Sequence, residues 1–243
     1  FIQRRKSIDK TYYVGHGFIL DLKIKMNELE ADFIVFDNEL MPSQGRNITR
    51  LIEVSPFDRT EIILKIFHEH ARTGEARLQV KLAELKYEMP RLKNKWSHFE
   101  NERVAATRGN SGGGGASRGM GETQTEIDKR KIRDEISKIE HILKKNLIQL
   151  ETKGKLRKEK FKLVCLVGYT NAGKSTLFNK LTNSSVYVED QLFATLDSTS
   201  KAFNLGKGKD VILTDTVGFV ADLPHHLVAS FRATLKEVVD ADL

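Results

Sequence analysis

The sequence predicts an α/β chain in three parts: a small N-terminal α/β subdomain, an antiparallel helical hairpin, and a second α/β domain. Three observations carry this prediction. Helix and strand signals alternate through residues 1–71. Two apolar seams at heptad spacing flank a glycine-rich stretch within residues 72–160. From residue 161 a strand-like run leads through a glycine loop directly into a helix.

Composition limits the field first. With 40% hydrophobic and 30% charged residues, the 243-residue chain can bury a real core, which excludes a disordered or collagen-like class. Its mean hydropathy is −0.39. No apolar run approaches the roughly 18 residues of a membrane span; the most apolar stretches, Phe33 to Phe36 and Leu163 to Val167, are strand-length. The single cysteine, Cys165, excludes an internal disulfide framework and points to a reducing, cytoplasmic compartment. The chain starts at Phe1 rather than Met and stops at Leu243 in mid-pattern, so it reads as a fragment cut at both ends; a targeting segment upstream, organellar for instance, stays open.

In the first part, Phe18 to Leu29 has apolar spacing suited to a helix and Phe33 to Phe36 reads as a buried strand. Pro42-Ser43 opens a second helix through Leu51, Ile52 to Val54 is a short strand candidate, and Asp58-Arg59-Thr60 precedes a helix from Glu61 to His70. This β-α-β-α order suits parallel strands.

The middle part begins with Leu78, Leu82, Leu85, Met89, Leu92, Trp96 and Phe99 in one heptad seam, inside which Pro90 predicts a kink or break. A second seam runs through Ile132, Ile136, Ile139, Leu143, Leu147 and Leu150. Each helix can bury its stripe on the other, a coiled-coil hairpin with residues 109–121 as its glycine-rich tip. Arg103, Arg108 and Arg118 lie in or near that tip, so it could mould onto a surface or serve as an inert connection. Lys153 to Lys160 forms a basic joint. Split by part, the formal charge is −1, +9 and −1, so the middle part carries the whole positive excess, as expected of an element lying on a polyanionic backbone.

The strongest signal is Gly168-Tyr-Thr-Asn-Ala-Gly173-Lys174-Ser175, between the strand-like Leu163 to Val167 and the helical Thr176 to Leu181. This is G-x-x-x-x-G-K-S in its strand–loop–helix context. Glycines let successive N–H groups curl toward phosphate oxygens, the lysine reaches the β- and γ-phosphates, and the serine hydroxyl can ligate Mg²⁺. A second strand-like run, Val211 to Thr214, ends in Asp215-Thr216-Val217-Gly218, a D-x-x-G lying 41 residues after Lys174. An aspartate there can hold Mg²⁺ and the glycine N–H can sense a γ-phosphate. Between them, Asp190 to Asp197 is a loop that could close over the metal through Thr195, with Thr199 as the competitor.

The runs G-Y-T-N-A-G-K-S-T-L-F-N, D-Q-L-F-A-T-L-D, D-T-V-G-F and L-P-H-H-L-V together resemble the HflX-type GTPases. The resemblance extends upstream through G-E-T-Q-T-E-I-D-K-R (Gly121 to Arg130), L-Q-V-K-L-A-E-L-K-Y (Leu78 to Tyr87) and F-D-N-E-L-M-P-S-Q (Phe36 to Gln44). It implies an N-terminal α/β subdomain (1–71), a basic helical hairpin (72–160) and the first half of a P-loop GTPase domain (161–243). It also implies a GTP-hydrolysing protein that binds the large ribosomal subunit and its rRNA and promotes subunit dissociation or rescue; apart from the resemblance, a monomer is expected. Carried over by position, the triphosphate cradle comprises Gly168, Tyr169, Thr170, Asn171, Ala172, Gly173, Lys174, Ser175 and Thr176. Asp215, Thr216, Val217 and Gly218 complete it. Mg²⁺ falls to Ser175, Thr195 and Asp215, and turnover to Lys174, Thr195 and Gly218.

Some positions qualify that picture. Phe219 stands where Ras-like GTPases keep a water-orienting Gln, and a phenyl ring cannot polarise water, so hydrolysis is expected to be slow or assisted from elsewhere. Asn171 lies where related GTPases hold a monovalent cation, which makes K⁺ a candidate accelerator. The G-G-G-G-A-S tip is longer than the compact loop of the family, and the guanine-reading N/T-K-x-D motif would follow residue 243. A half-built sheet would also leave an unpaired edge. His68 and His70, and His225 with His226, lack metal-ligand spacing, so Mg²⁺ is the one metal expected. The competing reading is an RNA-docking module that senses nucleotide with little or no hydrolysis.

Overall fold

In the computed structural model, residues 1–4, 6–92, 117–158, 160–184, 193, 196, 198–206, 209–220, 227 and 232–243 are described. The chain is mixed α/β, with small sheets beside long helices, and divides into two compact units: residues 1–63 with 87–132, and residues 64–86 with 133–243.

The first unit carries α1 (His16–Glu28), β1 (Val35–Phe36), α2 (Pro42–Ile52) and β2 (Phe57–Asp58). The helix α2 starts where the sequence dictates: Pro42 occupies the first turn, where no N–H is needed, and the Met41 N–H donates to Gln44 Oε1 at 2.9 Å. It closes at Glu53, whose φ of 67° turns the chain while its N–H still donates to Thr49 O. That closure explains why Ile52 to Val54, a strand candidate by sequence, is not a strand; β2 forms at Phe57–Asp58 instead, parallel to β1 with Val35 opposite Phe57 and Phe36 opposite Asp58. The expected buried strand over Phe33 to Phe36 likewise shrinks to two residues. A two-stranded pair buries one face, so Phe36 joins Ile19, Leu22, Leu40, Ile48 and Ile52 in the core while Phe33 and Val35 stay exposed.

Thr60, Ile63, Leu64, Phe67 and Ala71 repeat at helical spacing along and just past α3 (Arg59–His70), which is buried on that side. In α4 (Gly74–Glu88) Leu82 and Leu85 of the expected seam are buried, but so are Ala76, Gln79, Val80, Ala83 and Tyr87. The helix therefore buries a second face as well as the seam. It ends at Glu88, and Pro90 lies in a three-residue 3₁₀ turn, Met89–Arg91, as the missing N–H requires.

The long α5 (Ser117–Lys158) begins inside the stretch expected to be a glycine-rich tip, so residues 117–121 are helical; Trp96, Phe99, Arg103, Arg108 and residues 109–116 lie outside the described residues. On its seam Ile139 is buried, Ile132, Ile136, Leu143 and Leu147 are half-buried and Leu150 is exposed. Within the second unit, Lys86 of α4 pairs with Glu140 of α5 at 2.7 Å.

The second unit's sheet has the order β3–β5–β4, from β3 (Lys162–Leu166), β4 (Thr199–Asn204) and β5 (Asp210–Asp215). β3 runs parallel to β5 over Lys162↔Val211 to Leu166↔Asp215, and β4 runs antiparallel to β5. An unpaired sheet edge is expected; that of β3 is partly taken, since after α7 (Arg232–Asp240) Asp242 N–H donates to Leu163 O and Cys165 N–H to Leu243 O, each at 2.8 Å. Among the described residues no helix is long and apolar enough to cross a membrane.

Candidate functional site

Strand β3 ends at Leu166, and the loop 167–173 leads into α6 (Lys174–Thr182). Two residues make the loop curl back: Asn171 adopts φ 60°, which its short amide side chain tolerates, and Gly173 adopts φ 83° as the residue preceding the helix. The loop therefore delivers the N-terminal turn of α6, with its outward-pointing N–H groups, to the C-terminal edge of the sheet. Tyr169 is exposed there, and the Ala172 N–H turns back to Tyr169 O at 3.3 Å.

Lys174 folds over this loop. Its ammonium donates to Gly168 O at 3.2 Å and Tyr169 O at 2.8 Å, holding the charge above the loop. Burial holds that ammonium below the ordinary lysine range, against the opposing pull of the Asp215 carboxylate. Ser175, one residue on, donates its hydroxyl proton to Asp215 Oδ2 at 2.5 Å, and Asp215 is fully buried at the end of β5. Two residues separated by 40 positions in the chain thus meet because β3 and β5 are parallel neighbours. The Thr216 hydroxyl donates to Leu166 O at 2.6 Å and ties the ends of those strands together.

The segment after Asp215 lies against the loop. A Cβ on Gly218 would sit 2.6 Å from Thr170 Cα and 2.8 Å from its amide nitrogen, so only glycine fits there. Phe219 then pairs through its backbone: its N–H donates to Gly168 O at 3.0 Å, and its carbonyl accepts the Thr170 N–H at 2.9 Å. The sequence marked Phe219 for the glutamine it replaces; the pairing is a tertiary fact with no sequence signal of its own.

The donor set suits Mg²⁺. A serine hydroxyl and a carboxylate are hard oxygen ligands, and the serine can keep donating its proton to Asp215 while its lone pairs face a cation. Among the described residues no three His, Cys, Asp or Glu side chains gather where they could hold a metal ion. The structure brings together Gly168 to Thr176 with Asp215 to Gly218. Thr195 and the pair His225-His226 lie outside the described residues, and Thr199 is placed at the start of β4, opposite Asp215 in register.

A strand, a lysine-bearing glycine loop, a helix and a second strand ending in aspartate define a P-loop nucleotide-binding domain. Comparison with known proteins narrows the class. Residues 1–68 match the family model for the GTP-binding GTPase N-terminal region, 70–157 that for the GTP-binding GTPase middle region, and 163–243 that for the 50S ribosome-binding GTPase. The chain is 44% identical to GTPase HflX of Caldanaerobacter subterraneus subsp. tengcongensis, covering 99% of this chain and 54% of that protein. It is 43% identical to GTPase HflX of Escherichia coli K12, covering 98% and 54% respectively. The crystal structure of the SsGBP–GDP complex superposes with a TM-score of 0.51 at 25% identity, over 98% of this chain and 60% of that one. The chain belongs to the HflX-type GTPase family, and it spans about half the length of the curated relatives it matches.

Proposed function

We propose that this chain supplies the P-loop and hairpin portion of a GTP-hydrolysing protein that docks on the large ribosomal subunit and promotes subunit dissociation or rescue. The observation that carries the reading is the convergence at one end of the sheet. Ser175 meets Asp215 at 2.5 Å, Lys174 stands over the loop, and Gly218–Phe219 pairs with Gly168–Thr170. In this reading the Lys174 ammonium exchanges its carbonyl partners for β- and γ-phosphate oxygens. Ser175, Asp215 and Thr195 would hold Mg²⁺, which would supply positive charge against the phosphates. Thr195 is preferred to Thr199, because Thr199 is held in the β4 ladder whereas Thr195 falls in the stretch between α6 and β4.

Gly218 senses the γ-phosphate through its N–H. Any displacement of Gly218 toward phosphate acts on two Phe219 backbone bonds to the loop, so the phosphate state is written into the segment that follows. Asn171 is the residue to carry K⁺ assistance. On α5 the exposed Arg130, Lys131, Arg133, Lys138, Lys144 and Lys145 outnumber the exposed Glu126, Asp134, Glu135 and Glu140, which suits rRNA phosphates. In this reading the protein works in the cytoplasm as a monomer.

One observation favours a second reading. Phe219 offers no group that can orient water, so the domain could sense nucleotide with little turnover. Steady-state GTP hydrolysis by the full-length protein, with and without large ribosomal subunits, separates the two. Stimulation by the subunit that disappears in Lys174→Ala upholds the GTPase; an unstimulated rate indifferent to Lys174→Ala upholds the sensing module. Equal rates in K⁺ and Na⁺ remove the role given to Asn171.

A further inference from the structure

Helix α7 is fastened to the strand that leads into the P-loop. The Cys165 thiol of β3 donates to Glu237 O of α7 at 3.3 Å. Just past the helix, the Asp242 carboxylate accepts the Leu163 N–H at 2.9 Å and the Lys162 ammonium at 3.0 Å, beside the backbone bonds that residues 242 and 243 make to β3. Helix and strand thus form one block of the nucleotide domain. From that block the Lys236 ammonium, next to Glu237, pairs with the Glu151 carboxylate of α5. The two residues are 85 positions apart, both lie in the second unit, and their side chains are 36% and 40% exposed. The phosphate chemistry uses neither of them.

The place of Glu151 gives this pair leverage. It lies about 10 Å up the helix from the end of α5 at Lys158, and β3 begins soon after at Lys162. Helix α5 is therefore joined to the nucleotide domain twice, through the chain at its end and through the ion pair further up. Two points of attachment fix a direction where one leaves it free. Exposed Lys138, Lys144 and Lys145 lie beyond the pair; Lys138 is about 30 Å from the helix end, so a shift at Glu151 is magnified about threefold there. Lys86 of α4, paired with Glu140, moves with the same stretch of α5. We propose that Lys236 and Glu151 are positioning residues, a stay by which the block leading into the P-loop sets the direction of the basic helix α5 and so couples nucleotide state to docking on the large ribosomal subunit. This rests on the reading of the chain as a ribosome-docking GTPase. Neither residue touches nucleotide or RNA in this scheme. A partly exposed pair is weak, so it can be made and released in each cycle, which a buried pair resists.

The test uses full-length protein and large ribosomal subunits. Wild type is expected to bind subunits more tightly with a non-hydrolysable GTP analogue than with GDP. Glu151→Gln and Lys236→Gln should each shrink that ratio by about twofold to fivefold, the scale of one partly exposed ion pair, and lower subunit-stimulated kcat similarly. Basal GTP hydrolysis and GDP affinity should keep their wild-type values, since neither side chain meets the P-loop. The two substitutions change the net charge in opposite senses. A direct effect on RNA phosphates would therefore move subunit affinity in opposite directions, whereas loss of the stay shrinks the ratio in both. The charge-swapped Glu151→Lys/Lys236→Glu variant should restore most of the ratio. A wild-type ratio in either single variant, shifts of opposite sign, or a swapped variant no better than the single ones overturns the proposal. Should a single variant lose basal activity or not fold, the swapped variant decides: a wild-type ratio upholds the stay and a reduced one overturns it. Wild type that hydrolyses GTP no faster with subunits overturns the functional reading along with this inference, whereas every other failure overturns this inference alone.

Discussion

Two buried aspartates end parallel strands in this chain, Asp58 at the end of β2 and Asp215 at the end of β5, and they have opposite surroundings. Asp58 is sealed. Its Oδ1 accepts the Glu61 N–H at 2.9 Å, and its Oδ2 accepts the Leu40 N–H at 3.1 Å and the Arg91 guanidinium at 3.2 Å. Arg91 is fixed in turn by donating to Leu40 O and Tyr87 O and by lying 3.5 Å from the Tyr87 ring centroid. Burial, with Asp58 as the next cause, pushes the Tyr87 hydroxyl far above the ordinary tyrosine range, so it stays protonated. Asp215, by contrast, meets a serine hydroxyl, beside a lysine whose ammonium donates to two loop carbonyl oxygens. A carboxylate bound by helix-start amides and an arginine keeps its partners. One bound by a hydroxyl can share them with a cation, and that difference separates a structural carboxylate from a candidate functional one at the same place in a sheet.

The largest expected effect breaks the sealed member. Asp58→Ala leaves the half-buried Arg91 without its counter-charge and removes the acceptor of the Leu40 and Glu61 N–H groups, and should cost about 3 kcal/mol of stability, read by denaturant unfolding. Arg91→Ala should cost a comparable amount, and the double variant little more than either, because the two groups form one network. A loss of under about 1 kcal/mol for Asp58→Ala would show that this aspartate is no more committed to the fold than a surface residue.

The next effect concerns function rather than folding. Lys174→Ala should weaken nucleotide binding by up to about 100-fold, the scale of one or two charge-assisted hydrogen bonds, measured with a fluorescent GDP analogue. Its effect on stability has the opposite sign from that of Asp58→Ala. Because burial depresses the Lys174 pKa in the fold, any stabilisation tied to that residue is present only above the ordinary lysine pKa and is lost as pH falls. At neutral pH the fold carries a partly desolvated ammonium that a phosphate would relieve. Without nucleotide, Lys174→Ala should therefore melt at the same temperature or higher; a clear drop would place Lys174 with Arg91 as a structural cation.

This contrast was half legible in the sequence. The P-loop was readable because its chemistry is local: eight contiguous residues between a strand and a helix, with Asp215 marked by its glycine three positions on. The bounds of α1 and α2 followed from apolar spacing and from Pro42 for the same reason. Asp58 carried no comparable mark, since its partner Arg91 is 33 residues away, beyond α3 and α4 in the sequence. Phe67 and Phe193 are more distant still, 126 positions apart, and nothing in the sequence pairs the two rings. Periodicity reports one face of a helix, so it found Leu82 and Leu85 on α4 but not the second buried face through Ala76, Val80 and Ala83. β2 formed five residues later than the sequence suggested because a left-handed Glu53, which no propensity favours, closes α2 first.

The smallest expected effect asks whether the sheet carrying Asp215 is closed as firmly as the pair carrying Asp58. Cys165 reports on this, since it lies in β3 one residue before the strand ends and donates its thiol to Glu237 O at 3.3 Å. Burial raises the thiol above its ordinary range, Glu237 adds to the rise, and a hydrogen bond with Thr214 opposes it. A raised folded-state pKa means the protonated thiol is favoured in the fold, so its contribution is complete below the ordinary thiol pKa and is lost as pH rises through the raised one. Alkylation of Cys165 at pH 8 should accordingly run slower than that of a free cysteine and accelerate with rising pH over a range displaced upward. Reaction at the free-cysteine rate would mean that β3 opens readily. In that case the ease with which Asp215 exchanges partners would reflect a loose sheet end, and the contrast with Asp58 would lie in local stability rather than in the kind of group each aspartate meets.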